Sequence, residues 1–170
     1  MYPVRPCRSH INMPLPDMAV LAEGGLPTGQ RWVLRAGGAS SHFYTFLETI
    51  YPDGHRDEGG MGGPPLYPGR LTNTCTGGTE RGMRRVLVRA DPRVAQVRVL
   101  LGSGERLDLP PVAARPDLGL VFFATLLPPS AVLASVVAID ENGQVLEPQD
   151  LSHHEANWQR FQRQHGHPGA

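Results

Sequence analysis

The sequence predicts an all-β protein: an antiparallel two-sheet sandwich of about seven to eight strands, closed by a short C-terminal helix. Three observations predict it. Short apolar runs rich in Val, Leu, Phe and Thr recur between Gly, Pro and Asp turn signals. No helix of crossover length separates the later runs, which excludes a parallel βαβ architecture and leaves a barrel as the runner-up. The 20 glycines and 17 prolines of the 170 residues cluster at turns between apolar runs, as in an all-β chain. The reading divides the chain into an extended N-terminal arm (1–28), a β-sandwich domain (29–148) with a long Gly/Pro loop at 53–82, and a helical tail (149–170).

Taken in order, residues 1–25 are spotted with proline and lack any period, which reads as an arm. Arg31–Ala36 is a short strand stopped by Gly37-Gly38. His42–Tyr51 carries Phe43, Phe46, Leu47 and Ile50 at helical spacing. Its aromatic and threonine content and the Pro52-Asp53-Gly54 turn favour a strand, and the helix stays open. Residues 53–82 contain Gly59-Gly60-Met61-Gly62-Gly63-Pro64-Pro65 and a threonine-rich run through Cys75, a composition that predicts no regular element. So long a loop in a compact domain is a place to look for function.

From there the strand signals strengthen. Arg85–Arg89 ends at Asp91-Pro92, and Val97, Val99 and Leu101 alternate with Gln96, Arg98 and Leu100. Gly102-Ser103-Gly104 turns that strand into Glu105–Leu109, a hairpin. Leu120–Leu127 is apolar on both faces, as a central strand would be. Ala131–Ile139 is a second buried run, and Asp140-Glu141-Asn142-Gly143 turns it into Gln144–Leu146. Ser152 and Glu155 fit a capping box at the start of a helix over about 153–164, with Leu151 and Ala156 at staple positions. Trp158 and Phe161, three apart, share one face of that helix, and Gly166 and Pro168 end it. A helix so short must pack on the sandwich or on another chain.

Gly59 to Pro64, Leu66-Tyr67-Pro68-Gly69, Arg89 to Val94, Phe122 to Pro128 and Ala138 to Gly143 together resemble a family of uncharacterised proteins from GC-rich, actinobacterial-type bacteria. The resemblance covers some two-thirds of the chain and implies an immunoglobulin-like sandwich. It implies no activity, and the arm and tail lie outside it.

Composition closes several routes. Sixteen cationic and sixteen acidic side chains balance, so no overall field points to nucleic acid or anionic membrane. The cations are all arginine, which excludes Schiff-base, lysine-nucleophile and Walker-type chemistry. Cys7 and Cys75 have no metal-binding spacing, and their redox state stays open. The start has no apolar stretch of signal-peptide length, Pro128-Pro129 divides the apolar region 118–139, and Leu26-Pro27-Thr28-Gly29 lacks the spacer and tail of a cell-wall sorting signal. A cytoplasmic protein is expected.

Candidate chemistry is sparse. Asp53, His55, Asp57 and Glu58 gather three carboxylates and an imidazole that a divalent cation could use, but the spacing misses the EF-hand loop and a solvated turn accounts for them. The glycine run at 59–63 could offer backbone N–H groups to an anion but is no P-loop. His153 and His154 point about 100° apart on a helix and cannot easily chelate together. Ser103 lacks a nucleophile elbow, and Ser40-Ser41-His42 has no third member. Arg81, Arg84, Arg85, Arg89, Arg93 and Arg98 read as a charged sheet face. No cofactor is called for. The expectation is a non-catalytic interaction or accessory protein that meets a protein partner, or its own copy, through Met61 and Tyr67 of the loop and Trp158 and Phe161 of the helix. Two alternatives stand beside it: a ligand- or metal-binding protein or enzyme with a pocket at 53–82, and a structural subunit of a larger assembly.

Overall fold

The three-dimensional structure is a computed structural model, and it describes residues 17–165. The strands are β1 (Ala19–Gly25), β2 (Arg31–Ala39), β3 (His42–Ile50), β4 (Arg56–Met61), β5 (Thr72–Gly78), β6 (Arg84–Ala90), β7 (Gln96–Leu101), β8 (Arg106–Leu109), β9 (Ala113–Arg115), β10 (Leu120–Leu127), β11 (Leu133–Ile139) and β12 (Val145–Asp150). One turn of 3-10 helix (Pro116–Leu118) precedes β10, and α1 (Ser152–His165) ends the described chain.

They form three four-stranded antiparallel sheets, ordered β1-β2-β3-β4, β5-β6-β10-β9 and β12-β11-β7-β8. The all-β class is as the sequence predicts. Twelve strands in three sheets replace the expected seven to eight in two.

The middle sheet explains the difference. All seven residues of β6 are buried, and β10 is nearly so. Because side chains alternate across a strand, Val86, Val88 and Phe123 enter one core with Val97, Val99, Val136 and Ala138 of the third sheet. Leu87, Phe122, Ala124 and Leu126 enter a second core with Trp32, Leu34, Phe43 and Leu47 of the first sheet. A sheet buried on both faces gives continuous apolar runs rather than alternation. Phe122 and Phe123, adjacent in sequence, are both wholly buried. Each contributes roughly 1.5–3 kcal/mol of burial, to opposite cores.

Two parts of the expected domain division change. The arm assigned to 1–28 contains β1, which pairs with β2 from Ala19↔Ala36 to Gly25↔Arg31. Its glycines hid it: the Trp32 ring lies where a Cβ on Gly24 would stand, 2.3 Å away. The loop assigned to 53–82 contains β4 and β5, paired to β3 and β6. Its glycines likewise mark close approach. A Cβ on Gly59 would meet the Arg85 guanidinium at 2.6 Å, and one on Gly60 would meet the Phe46 ring at 2.8 Å. What remains irregular, 62–71, is fastened at both ends. Arg89 donates to the carbonyls of Pro64, Met61 and Phe43, and Glu147 accepts from the Leu71 and Thr72 amides. The open question at 42–51 resolves to strand, and the hairpin of β7 and β8 lies where the turn chemistry placed it.

Candidate functional site

Several turns meet at one end of the molecule. The β1–β2 turn touches the β3–β4 turn, because a Cβ on Gly29 would lie 3.1 Å from the Pro52 ring. The β5–β6 turn touches the β10–β11 turn through Gly82 and Pro129. Gly29, Gly54 and Gly82 have φ of 93°, 86° and 85°, which glycine adopts without strain and so allows tight reversals. Arg81 ties the turns together, with its guanidinium 4.6 Å from the centre of the Tyr51 ring and 2.8 Å from Asp53.

Between these turns lies an open apolar groove of about 630 Å³, lined by Leu26, Pro27, Tyr51, Pro52, Met83, Leu126, Pro128 and Pro129 with Arg81 on its rim. Proline rings and buried side chains make the walls, so the groove is preformed. Tyr51 and Met83 are buried beneath it, and the Tyr51 hydroxyl is hydrogen-bonded to the Thr79 hydroxyl.

The helix borders the same end. A capping box was expected at its start, yet Glu155 does not reach back to the cap. It is buried and receives Arg84 bidentately at 2.8 and 2.9 Å, together with the Leu133 amide at 3.2 Å. Burying a lone guanidinium would be costly, so the acid is drawn to it instead. Asp150 takes over the cap by accepting the Ser152 N–H at 2.8 Å, and that bond holds its carboxyl below the usual range. Trp158 packs on its own domain over Gly78, 5.3 Å from the Arg84 guanidinium. Phe161 stacks between Trp158 and His165 and is 44 % exposed. His154 is half buried, which with His153 alongside lowers its pKa.

The sequence candidates divide between the two ends. Asp53, His55 and Asp57 lie at the groove end, while Met61, at the far end of β4, packs against the core of the first and middle sheets. Tyr67, 51 % exposed, stands on the fastened 62–71 segment. Glu58 lies opposite Glu48 on the other face of β4 from Asp57 and takes no part in the cluster.

The acidic cluster becomes an ion-pair network. Asp53 accepts the His55 amide at 3.0 Å and pairs with Arg81, which together lower its pKa. His55 Nε2 lies 3.1 Å from Glu80, the Glu80 amide donates to Asp57, and Asp57 pairs with Arg85. Metal-ligating atoms of His55, Asp57 and Glu80 fall within 4.8 Å of one another. Arg85 already pairs with Asp57 there, and a cation would compete with it for that carboxylate. Burial pushes the Arg85 guanidinium down to about 10, well above neutrality, so it stays charged.

The arginine group also separates. Arg81, Arg93 and Arg98 are on the surface, but Arg84, Arg85 and Arg89 are buried inside the molecule, which corrects their reading as a charged face. No serine or threonine hydroxyl among the described residues is hydrogen-bonded to a histidine, and Ser103 Oγ merely accepts the Glu105 amide of its own turn at 3.3 Å. Glu80, Arg81, Met83 and the Pro128-Pro129 wall carried no functional signal in the sequence. They come together only through turns distant along the chain.

No helix among the described residues is long and apolar enough to cross a membrane. No family model, curated protein or solved structure matches this chain.

Proposed function

We propose that this protein is a non-catalytic, immunoglobulin-like binding module that seats an apolar segment of a protein partner in the groove at its loop end. The groove itself carries the reading. Its volume falls within the roughly 300–1,000 Å³ common for ligand clefts, and its lining is mostly apolar, with Thr28, Gln30 and Arg81 as its polar members. Its walls belong to turns held by proline contacts, so little is spent on ordering them when a partner arrives. The helix that carries the exposed Phe161 borders the same end, with Trp158 over Gly78.

The immunoglobulin-like part of the proposal rests on strand order. β5-β6-β10-β9 facing β12-β11-β7-β8 corresponds to A-B-E-D facing G-F-C-C′. The β1–β4 sheet is then an added layer over the A-B-E-D face. In that correspondence the groove lies at the A–B and E–F turns, opposite the end that antibody domains use.

A photo-crosslinking residue at Thr28 or Pro128, with Val145 as an exposed control, tests the reading in native lysate. A discrete protein adduct at both groove positions, absent at Val145 and abolished by Leu26→Asp, is the expected result. Equal labelling at all three positions, or a bound small molecule in native mass spectra, overturns it.

A further inference from the structure

Three open sheets leave strand edges, and an unpaired edge is a template for another strand unless a bulge, a proline or a covering side chain blocks it. Most edges here are blocked. β1 has a bulge between Val20 and Ala22, β9 is only three residues long, and β12 contains Pro148, which has no N–H to offer. Carbonyls of β4 accept from Cys75 and Arg89, and carbonyls of β5 accept from Arg84 and Arg85. β8 has no bulge, proline or covering side chain among the described residues. It pairs in unbroken register with β7, and Arg106, Leu107 and Asp108 are exposed.

The hairpin fixes which backbone groups β8 leaves free. The Leu101 amide donates to the Glu105 carbonyl at 2.8 Å, so the hydrogen-bonded pairs beyond it are Val99 with Leu107 and Val97 with Leu109. The N–H and C=O groups of Arg106 and Asp108 therefore point away from β7, to the open side. Side chains alternate as well. Leu109 enters the core between the middle and third sheets, while Leu107 on the same face is 36 % exposed at its rim. Arg106 and Asp108 share the outer face. There Arg98 holds Asp108 at 2.6 and 3.0 Å, and Arg106 makes no ion pair with a described residue.

We propose that β8 pairs antiparallel with β8 of a second copy, about a two-fold axis at Leu107, joining the two third sheets into one. In that register Arg106 stands opposite the second copy's Asp108, and Asp108 opposite its Arg106. These are the residues with free backbone groups, so both pairs can exchange two hydrogen bonds where the opposite charges also meet. Leu107 meets its own counterpart on the other face, with Cβ atoms about 5 Å apart, and covers its exposed side. Other registers fail. Centring on Arg106 or on Asp108 sets like charges against each other, and the second also brings Arg106 against Pro110, which has no N–H. A slip of one residue swaps the faces and turns free groups toward satisfied ones. With Pro148 on the far edge of the sheet, the pairing closes as a dimer and does not propagate.

Sedimentation of the whole chain at rising concentration, joined with cysteine trapping, tests this. A reversible dimer is expected. Leu107→Cys should give a disulfide-linked dimer on mild oxidation, because facing residues of a non-hydrogen-bonded pair lie about 4.5 Å apart at Cα. A digest should show the peptide with the new cysteine joined to its own copy. Arg106→Cys should not link to its counterpart, since an offset of two residues along the strand places the two Cα atoms beyond the roughly 7 Å limit. Arg106→Asp should weaken the dimer roughly tenfold, because both ion pairs become like-charge contacts. A monomer at every concentration, no trapping at position 107, or a dimer that Arg106→Asp leaves equally tight would each overturn the proposal. Circular dichroism checks that the variants fold; if Leu107→Cys does not, the Arg106→Asp comparison decides by itself.

Discussion

Replacing Glu155 by alanine removes the partner of a guanidinium whose side chain is 2 % exposed. Arg84 would keep its bonds to the Gly77 and Ala131 carbonyls, but neither neutralises its charge, and the Leu133 amide would lose its acceptor. Breaking one side of a buried ion pair costs roughly 3–5 kcal/mol. With a urea dependence of about 2 kcal/mol/M for a domain of this size, the unfolding midpoint of Glu155→Ala should fall by about 2 M. Glu155→Gln, which keeps the shape and loses the charge, should fall between the two. Converting both partners to apolar residues, Arg84→Met with Glu155→Leu, should recover most of the loss, because the desolvation of both charges disappears with them. Urea titration followed by far-ultraviolet circular dichroism measures all four proteins. A midpoint for Glu155→Ala within about 0.3 M of the parent would refute the reasoning, since it would mean that Arg84 escapes to water when unpaired.

Two further outcomes follow from contacts elsewhere. Gly78→Ala would put a Cβ 1.9 Å from the Trp158 ring, whereas nothing lies within 4 Å of a Cβ on Gly77. The first substitution should cost roughly 1–3 kcal/mol and red-shift the tryptophan emission as the helix is lifted, with Gly77→Ala as the silent control. The second concerns Glu147: burial raises its pKa, but the Leu71 amide, the Thr72 hydroxyl and Arg70 outweigh that and hold it below its usual 4.5. A carboxyl lowered in the folded state adds stability that is present above about 4.5 and lost as pH falls through the lowered value. Glu147→Gln should therefore flatten the acid limb of a stability–pH curve, and an unchanged limb would show that Glu147 is not clamping the 62–71 segment.

The strands legible in the sequence are those whose side chains supply their own reason to be strands. β3, β7, β10 and β11 are rich in branched or aromatic residues and end at turn signals, and they lie close to where that pattern predicts. β1, β4 and β5 were missed for a shared physical cause. Their glycines were read as punctuation, while in the fold Gly24, Gly59, Gly60 and Gly78 make room for Trp32, Arg85, Phe46 and Trp158. Each of those large side chains comes from a different strand or from the helix, so the reason lies outside the segment that carries the glycine. The groove was illegible likewise: its lining comes from turns at 26–30, 51–52, 81–83 and 126–129, and no local pattern ties them together. His55 and Asp57 were found because they lie two apart in the sequence beside other acids, and Glu80 escaped notice because its connection to them is tertiary.

The third layer raises a sharper question: how a central strand reading Arg-Arg-Val-Leu-Val-Arg-Ala is buried at all. Position along β6 answers it. Its arginines sit at the two ends of the strand, where a long side chain can reach past the apolar core to a polar group. Arg84 points to the side of the third sheet and takes Glu155 from the helix. Arg85 points to the opposite side and takes Asp57 from β4. Arg89, at the far end, has no acid; it is held by carbonyls of Phe43, Met61 and Pro64 and by the Phe43 ring at 5.4 Å. Burial brings it down to about 10, still charged at neutral pH. A planar fork that serves several carbonyls at once is what arginine offers and lysine does not. Each arginine thus fastens to the middle sheet a part that has little core of its own: the helix, the start of β4, and the 62–71 segment. The charged ends of β6, which in sequence look like a solvated face, are what lets one short strand hold three layers in register.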